Sequence, residues 1–256
     1  INKRIKLIMA YTTINKSTAQ FETNTWTGAG ATSKTISGNT FKPDLVWTKR
    51  RNNSGHHKLY DSVRGVRKDL SSSSSGAETT ASGSGYLNTF NSDGFTLTNG
   101  SSDGYYVDAN NVTYVSWGWK AGASQTLNSG NVTSTVRANT TAGFSIVSWT
   151  GTAGNILVSH GLGAVPKMII VKNRSITQEW AVYHASLGGT KYLELNQTGA
   201  SGTASNRWNN SNPNATNFIV SSDASVNGSG NSMIAYCFAD VQGYSKMGSY
   251  IGNNNA

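Results

Sequence analysis

The chain has 256 residues and a mass of 27.2 kDa; 13% of its residues are charged, the net charge is +9, and it holds seven Trp and eleven Tyr. Glu and other helix formers are few, and Gly, Ser, Thr and Asn fill the gaps between short apolar runs, which excludes a helical bundle and predicts an all-β chain. An apolar fraction of 36% excludes wholesale disorder, and the positive charge is scattered singly rather than gathered into a stripe with interleaved aromatics, which argues against nucleic-acid binding.

In chain order, residues 1–20 form a basic segment with Lys3, Arg4, Lys6 and Lys16 and no acid. Its apolar run, Leu7 to Ala10, is too short for a signal-peptide core or a membrane span. Met9 is the expected start, with residues 1–8 as upstream translation. Residues 21–122 read as a first β unit, with strands near 22–27, 33–36, 44–49, 57–61, 85–90, 94–98 and 112–119. Residues 123–142 are a linker or a closing strand, with a candidate strand at 131–137. Residues 143–243 read as a second unit, with strands near 144–150, 155–159, 167–172, 179–184, 191–195, 217–221 and 232–239. Residues 244–256 read as the start of a third, truncated unit. The Ser-, Gly- and Asn-rich segments 71–85 and 196–213 are expected to be long loops.

The two units echo one another. FKPDLVWTKRRN (Phe41 to Asn52) is followed by AVPKMIIVKNRS (Ala164 to Ser175), with Pro43, Lys49 and Arg51 at a constant offset of 123 from Pro166, Lys172 and Arg174. Phe21 and Phe144, Trp26 and Trp149, Gly28 and Gly151, and Tyr60 and Tyr183 keep the same offset. A period above 100 residues marks tandem whole domains, since solenoid repeats are far shorter. The expected fold is two tandem antiparallel β-sandwiches, jelly-roll or concanavalin-like, from an internal duplication.

Candidate chemistry is sparse. Glycoside hydrolysis needs two facing carboxylates, yet Asp44, Asp61 and Asp69 stand opposite Lys167, His184 and Tyr192 in the second unit. No acid is kept in both, and the chain reads as a non-enzyme with no cofactor. His56, His57, His160 and His184 read as surface or turn histidines without a metal-ligand set, and DGYYVD at 103–108 reads as an ordinary turn without calcium-loop spacing. Cys237, between apolar neighbours, reads as a small core residue. Trp26, Trp47, Trp149, Trp180 and Trp208 are candidates for a sugar-stacking platform. Recurrence inside strands assigns Trp26 and Trp149, like Trp117 and Trp119, to the core, and the polar string SNRWNN predicts exposure for Trp208. The candidate contact residues are Lys49, Arg51, Lys172, Arg174 and Trp208. Both Lys-x-Arg pairs lie at a strand exit, where replacing Arg51 and Arg174 by Ala is expected to leave folding intact.

The strings MAYTTINKS, FKPDLVWTKRRN, LYDSVRG, NSDGFTL, TYVSWGWKAG and IAYCFADVQGYSKMGSYIGN together resemble a repeated domain of unknown function in virion structural or tail-fibre-like proteins of marine tailed phages. The resemblance implies a structural module of the particle surface or tail, made in the host cytoplasm without a signal peptide. Its partners would be other virion proteins, further copies of itself and host cell-surface glycans, with no nucleic acid and no membrane insertion. A carbohydrate-active enzyme, a secreted lectin-like protein and a capsid decoration protein are the alternatives. The resemblance transfers no catalytic residue.

Overall fold

The computed structural model describes residues 11–80, 83, 85–100 and 107–253. Residues 1–8, Met9, the 103–106 part of DGYYVD and the last three residues of the 244–256 segment lie outside that range. The chain is all-β. Its strands are β1 (Phe21–Thr27), β2 (Ser33–Ile36), β3 (Leu45–Arg50), β4 (Lys58–Asp61), β5 (Lys68–Ser71), β6 (Thr79–Thr80), β7 (Tyr86–Asn91), β8 (Gly94–Thr98) and β9 (Thr113–Trp119) in the first half. The second half contributes β10 (Ser124–Leu127), β11 (Ser134–Asn139), β12 (Phe144–Thr150), β13 (Ile156–Ser159), β14 (Pro166–Asn173), β15 (Ala181–His184), β16 (Lys191–Glu194), β17 (Gly202–Thr203), β18 (Asn217–Val220) and β19 (Ser232–Ala239). Two four-residue helices, α1 (Ser205–Trp208) and α2 (Ala224–Asn227), interrupt the second half.

All strand pairing among the described residues is antiparallel. The larger sheet of the first half runs β1-β9-β3-β4-β5-β6, and the larger sheet of the second runs β10-β11-β12-β19-β14-β15-β16-β17. Smaller sheets are β2-β8-β7 and β13-β18. Strands at matching sequence positions therefore hold matching places, down to the two-residue β6 and β17 at the far edges. Gly28 and Gly151 share a local reason: a Cβ would come within 2.1 Å of Ala109 O and 2.2 Å of Gly228 O respectively, so a neighbouring backbone occupies the space of a side chain at both.

The alternation of apolar residues along the strands explains how the layers stack. Val46, Tyr60 and Tyr114 point from the first larger sheet into a core with Phe95 and Leu97 of β8. Val147, Ile169, Met233 and Cys237 point from the second into a core with Val158 and Phe218. The opposite faces meet each other: Leu45, Leu59 and Leu70 pack with Phe144, Ile146, Ile170, Trp180 and Tyr236. The two larger sheets thus lie face to face, with Trp119 tilted onto Phe144 at 6.1 Å and edge-on to Phe238 at 6.3 Å. Burying each such side chain contributes about 1.5–3 kcal/mol. Cys237 is fully buried, and burial pushes its thiol up to about 12.

Three expectations change. The 123–142 segment neither closes the first unit nor runs as a plain linker: β10 and β11 form a hairpin that adds to the edge of β12. The 71–85 and 196–213 loops contain β6 and the β17–α1 turn, stabilised by pairing with β5 and β16. The described part of 244–256 holds no strand beyond an isolated bridge between Val241 and Ser245.

Candidate ligand groove

Strand β3 leaves the sheet-to-sheet core with Trp47, Lys49 and Arg51 on one face, by the period of two. Trp47 stands opposite Trp117 of β9, and their rings meet edge-to-face at 6.3 Å and 76°. The Trp47 indole N–H donates to His57 Nδ1 at 3.3 Å. Trp119 lies one rung further in and is half-buried against Phe21, at 4.9 Å. These residues line an open groove of about 300 Å³ formed by Trp47, His57, Trp117 and Trp119. A second hollow of about 300 Å³ continues past Trp47 and His57 to Ser72, Ser73 and the segment Leu195 to Thr198. The surface is apolar on one side, with hydroxyl and amide groups on the other.

His57 is held below its ordinary pKa, first by burial and then by Lys49 and His56. The neutral ring suits its role, because Nδ1 must keep a lone pair to accept from Trp47. Lys49 is half-buried and donates from Nζ to Arg50 O at 3.0 Å. Arg51 is exposed, its backbone N–H donating to Thr113 O at 2.7 Å. Of the first Lys-x-Arg pair, Lys49 acts on His57 through its charge, while the groove wall itself is Trp47, His57, Trp117 and Trp119.

The second pair is tied into the fold. Lys172 is 0% exposed and donates to Ser75 O at 3.0 Å and Gln178 O at 2.7 Å. Burial lowers it to about 8, with Glu179 opposing the shift. Arg174 grips Glu78 with two parallel hydrogen bonds of 2.9 Å each. Glu78 also accepts from Arg64 at 3.2 Å, and Arg64 pairs through Nε with Asp61, both side chains being fully buried. Tyr236 closes the network by donating to Asp61 at 2.8 Å. Burial alone would raise the Glu78 carboxyl, but the Arg174 hydrogen bonds and the charge of Arg64 bring it below its usual value. The 71–80 loop of the first half thus seals the strand exit of the second, and Trp180 donates into that loop, to Ser71 O at 2.8 Å and Ser74 O at 3.1 Å.

Trp208 is likewise not a surface residue. It is 1% exposed, packed edge-on to Tyr183 at 6.1 Å, behind Arg207, which stacks on Tyr192 at 3.9 Å and pairs with Glu194 at 2.9 Å. A helical turn rolls the indole inward while Ser205, Asn206 and Asn210 face out. Sequence reasoning missed Trp117 and Trp119 as groove residues, since recurrence with Tyr236 and Phe238 pointed to core packing. The signal lies in the alternation of TYVSWGW along β9, a strand with only one of its faces covered by a small sheet. His160, expected at a turn surface, is fully buried and accepts from Leu162 N–H at 3.2 Å. No cluster of three or more His, Cys, Asp or Glu exists among the described residues, and no described helix is long and apolar enough to cross a membrane. The larger hollow, about 480 Å³ between Tyr11 and residues 240–246, is built from a turn and lacks the indole wall of the groove.

The layered antiparallel sheets define the chain as an all-β protein, with an open groove walled by Trp47, Trp117 and Trp119. A family model describing DUF7483, a domain of unknown function, matches residues 16–256, and the chain belongs to that family. No curated protein and no solved structure matches it.

Proposed function

We propose that the chain is a non-enzymatic structural module of a phage particle, a tail-fibre or surface component that contacts host cell-surface glycans. The two halves are then copies of one β-sandwich unit, jelly-roll or concanavalin-like, as the matching strand orders and the 123-residue offset support. The observation that carries the reading is the open Trp47–His57–Trp117–Trp119 groove. Indole faces stack on the C–H faces of sugars, and the neighbouring Ser72, Ser73, Asn196 and Gln197 supply donors and acceptors for hydroxyls. Repetition along a fibre strengthens weak single contacts. The virion setting rests on the sequence resemblance.

A binding rather than a hydrolytic role fits the carboxylates. Asp61 and Glu78 are engaged with Arg64 and Arg174, Asp69 with Lys58, and Asp44 with Ser62 and the Ala121 N–H. A general acid needs a proton to give, and Glu78, held ionised by its arginines, has none at neutral pH. The test is tryptophan fluorescence titration with purified bacterial surface polysaccharide. Saturable quenching lost in Trp47→Ala and Trp117→Ala supports the reading; unchanged binding in both variants, or release of reducing ends by the wild type, overturns it. Mass spectrometry of purified particles tests the virion setting, which fails if the chain is absent.

A further inference from the structure

The outer edges of the two larger sheets are finished differently. In the second half β11 folds back onto β12 through a turn that closes at Gly143, φ +66°, where a Cβ would come within 2.7 Å of Ala239 O. The residue at the matching position in the first half is Gln20, whose φ is −126°. A residue with a side chain does not take the left-handed turn cheaply. The described chain before β1, from Tyr11 on, does not fold back along it but lays Tyr11 and Thr12 over Gly243. Among the described residues β1 pairs with β9 alone.

The ladder shows which backbone groups this leaves outward. Lys120 N–H donates to Gln20 O at 2.9 Å and Gly28 N–H to Val112 O at 2.8 Å. Even-numbered residues therefore bond β9, and Phe21, Thr23, Thr25 and Thr27 turn their N–H and C=O away from it. Thr23, Thr25 and Thr27 are exposed. The strand FETNTWT carries no Lys, Arg or Pro, the residues that commonly guard an edge against pairing.

We propose that β1 is a self-association edge through which two copies of this chain pair, antiparallel and two-fold, joining their first larger sheets into one. The strand is complementary to itself. Centring the axis on Asn24 sets Thr23 opposite Thr25 and Phe21 opposite Thr27 of the second copy, so outward groups meet outward groups. Glu22 falls opposite Trp26, so no like charges face each other, and threonine pairs are favourable cross-strand neighbours. The matching edge of β12 already takes an antiparallel strand of six residues, β11. A two-fold axis normal to the sheet keeps both grooves on one face, with the two Trp117 strands three spacings apart, roughly 14 Å. The pairing does not depend on what the groove binds.

Sedimentation and light scattering of the full 256-residue chain test it. A concentration-dependent monomer–dimer equilibrium is expected, with Thr23 and Thr25 amides protected from hydrogen exchange as the dimer fills. Thr25→Pro removes only an outward N–H and is expected to give a monomer with unchanged circular dichroism. Should that variant misfold, the double variant Thr23→Lys, Thr25→Lys keeps every backbone bond, sets lysine against lysine, and is expected to weaken dimerisation roughly tenfold or more. A wild type that stays monomeric up to its solubility limit overturns the proposal, as does a dimer indifferent to the lysines. Protection of the Thr23 and Thr25 amides at all concentrations also overturns it, since the chain's own residues would then cover the edge.

Discussion

The exits of β3 and β14 carry the same residues at matching positions and have opposite fates. Lys49 is half-buried near His57 and Arg51 is exposed, whereas Lys172 is buried beneath the 71–80 loop and Arg174 is clamped to its Glu78. The difference lies in what arrives from the other half. The loop over the second exit brings Glu78, while position 201, which matches it, is a serine. A Lys-x-Arg pair is thus left open or made into a structural clamp according to one distant carboxylate, because burying a guanidinium requires a paired anion.

The largest way to break the contrast is at its root. Arg64→Ala leaves the fully buried Asp61 carboxylate without its cation and is expected to cost about 3–5 kcal/mol, read as a fall in the denaturant midpoint. Glu78→Ser makes the second exit resemble the first; losing the two-bond grip on Arg174 is expected to cost about 1–3 kcal/mol, with the 71–80 amides exchanging faster. The same carboxylate predicts acid behaviour. Its folded pKa lies below the ordinary value, so its stabilisation is complete above about 4.3 and fades as pH falls through the lower folded value; Glu78→Gln flattens that part of the stability curve.

Lys172 gives the alkaline counterpart. Folded, it titrates at about 8, against about 10.4 for an unburied lysine. Between those values the unfolded chain holds a proton that the folded chain has released, so stability climbs as pH rises across the window, and Lys172→Met removes the climb. The smallest effect belongs to the open exit. Arg51→Ala is expected to shift stability by less than about 0.5 kcal/mol, which leaves its effect on polysaccharide binding cleanly measurable. Arg174→Ala, by contrast, is expected to lose stability, in place of the equal tolerance that sequence alone suggested.

Most strands were legible because their apolar runs are local. TYVSWGW and SMIAYCF became β9 and β19, and the placement of β2 and β8 agreed to the residue. β5, with the sequence KDLS, was missed because only Leu70 in it is a large apolar residue. The β10–β11 hairpin was mislaid because its attachment depends on Gly143 and a partner edge, neither of which periodicity reports. The site was legible in part. Trp47 was among the stacking candidates and lines the groove, but Trp208 is buried because α1 turns it towards Tyr183, a long-range fact behind a polar string. For Lys172 the signal was present in MIIVK, a run too apolar to end in a solvated cation. Glu78, in a Ser- and Gly-rich loop, offered no hint of its reach across 96 positions to Arg174.

Cys237 offers a built-in clock. It lies on β19, which is paired on both sides by β12 and β14, with its side chain in the core of the second half, and a thiol held near 12 has almost no reactive thiolate at neutral pH. Alkylation can proceed only when that sheet opens, so with one cysteine in the chain the labelling rate counts openings of the second half alone. Measured beside whole-chain unfolding, that rate tells whether the two halves part together or in turn.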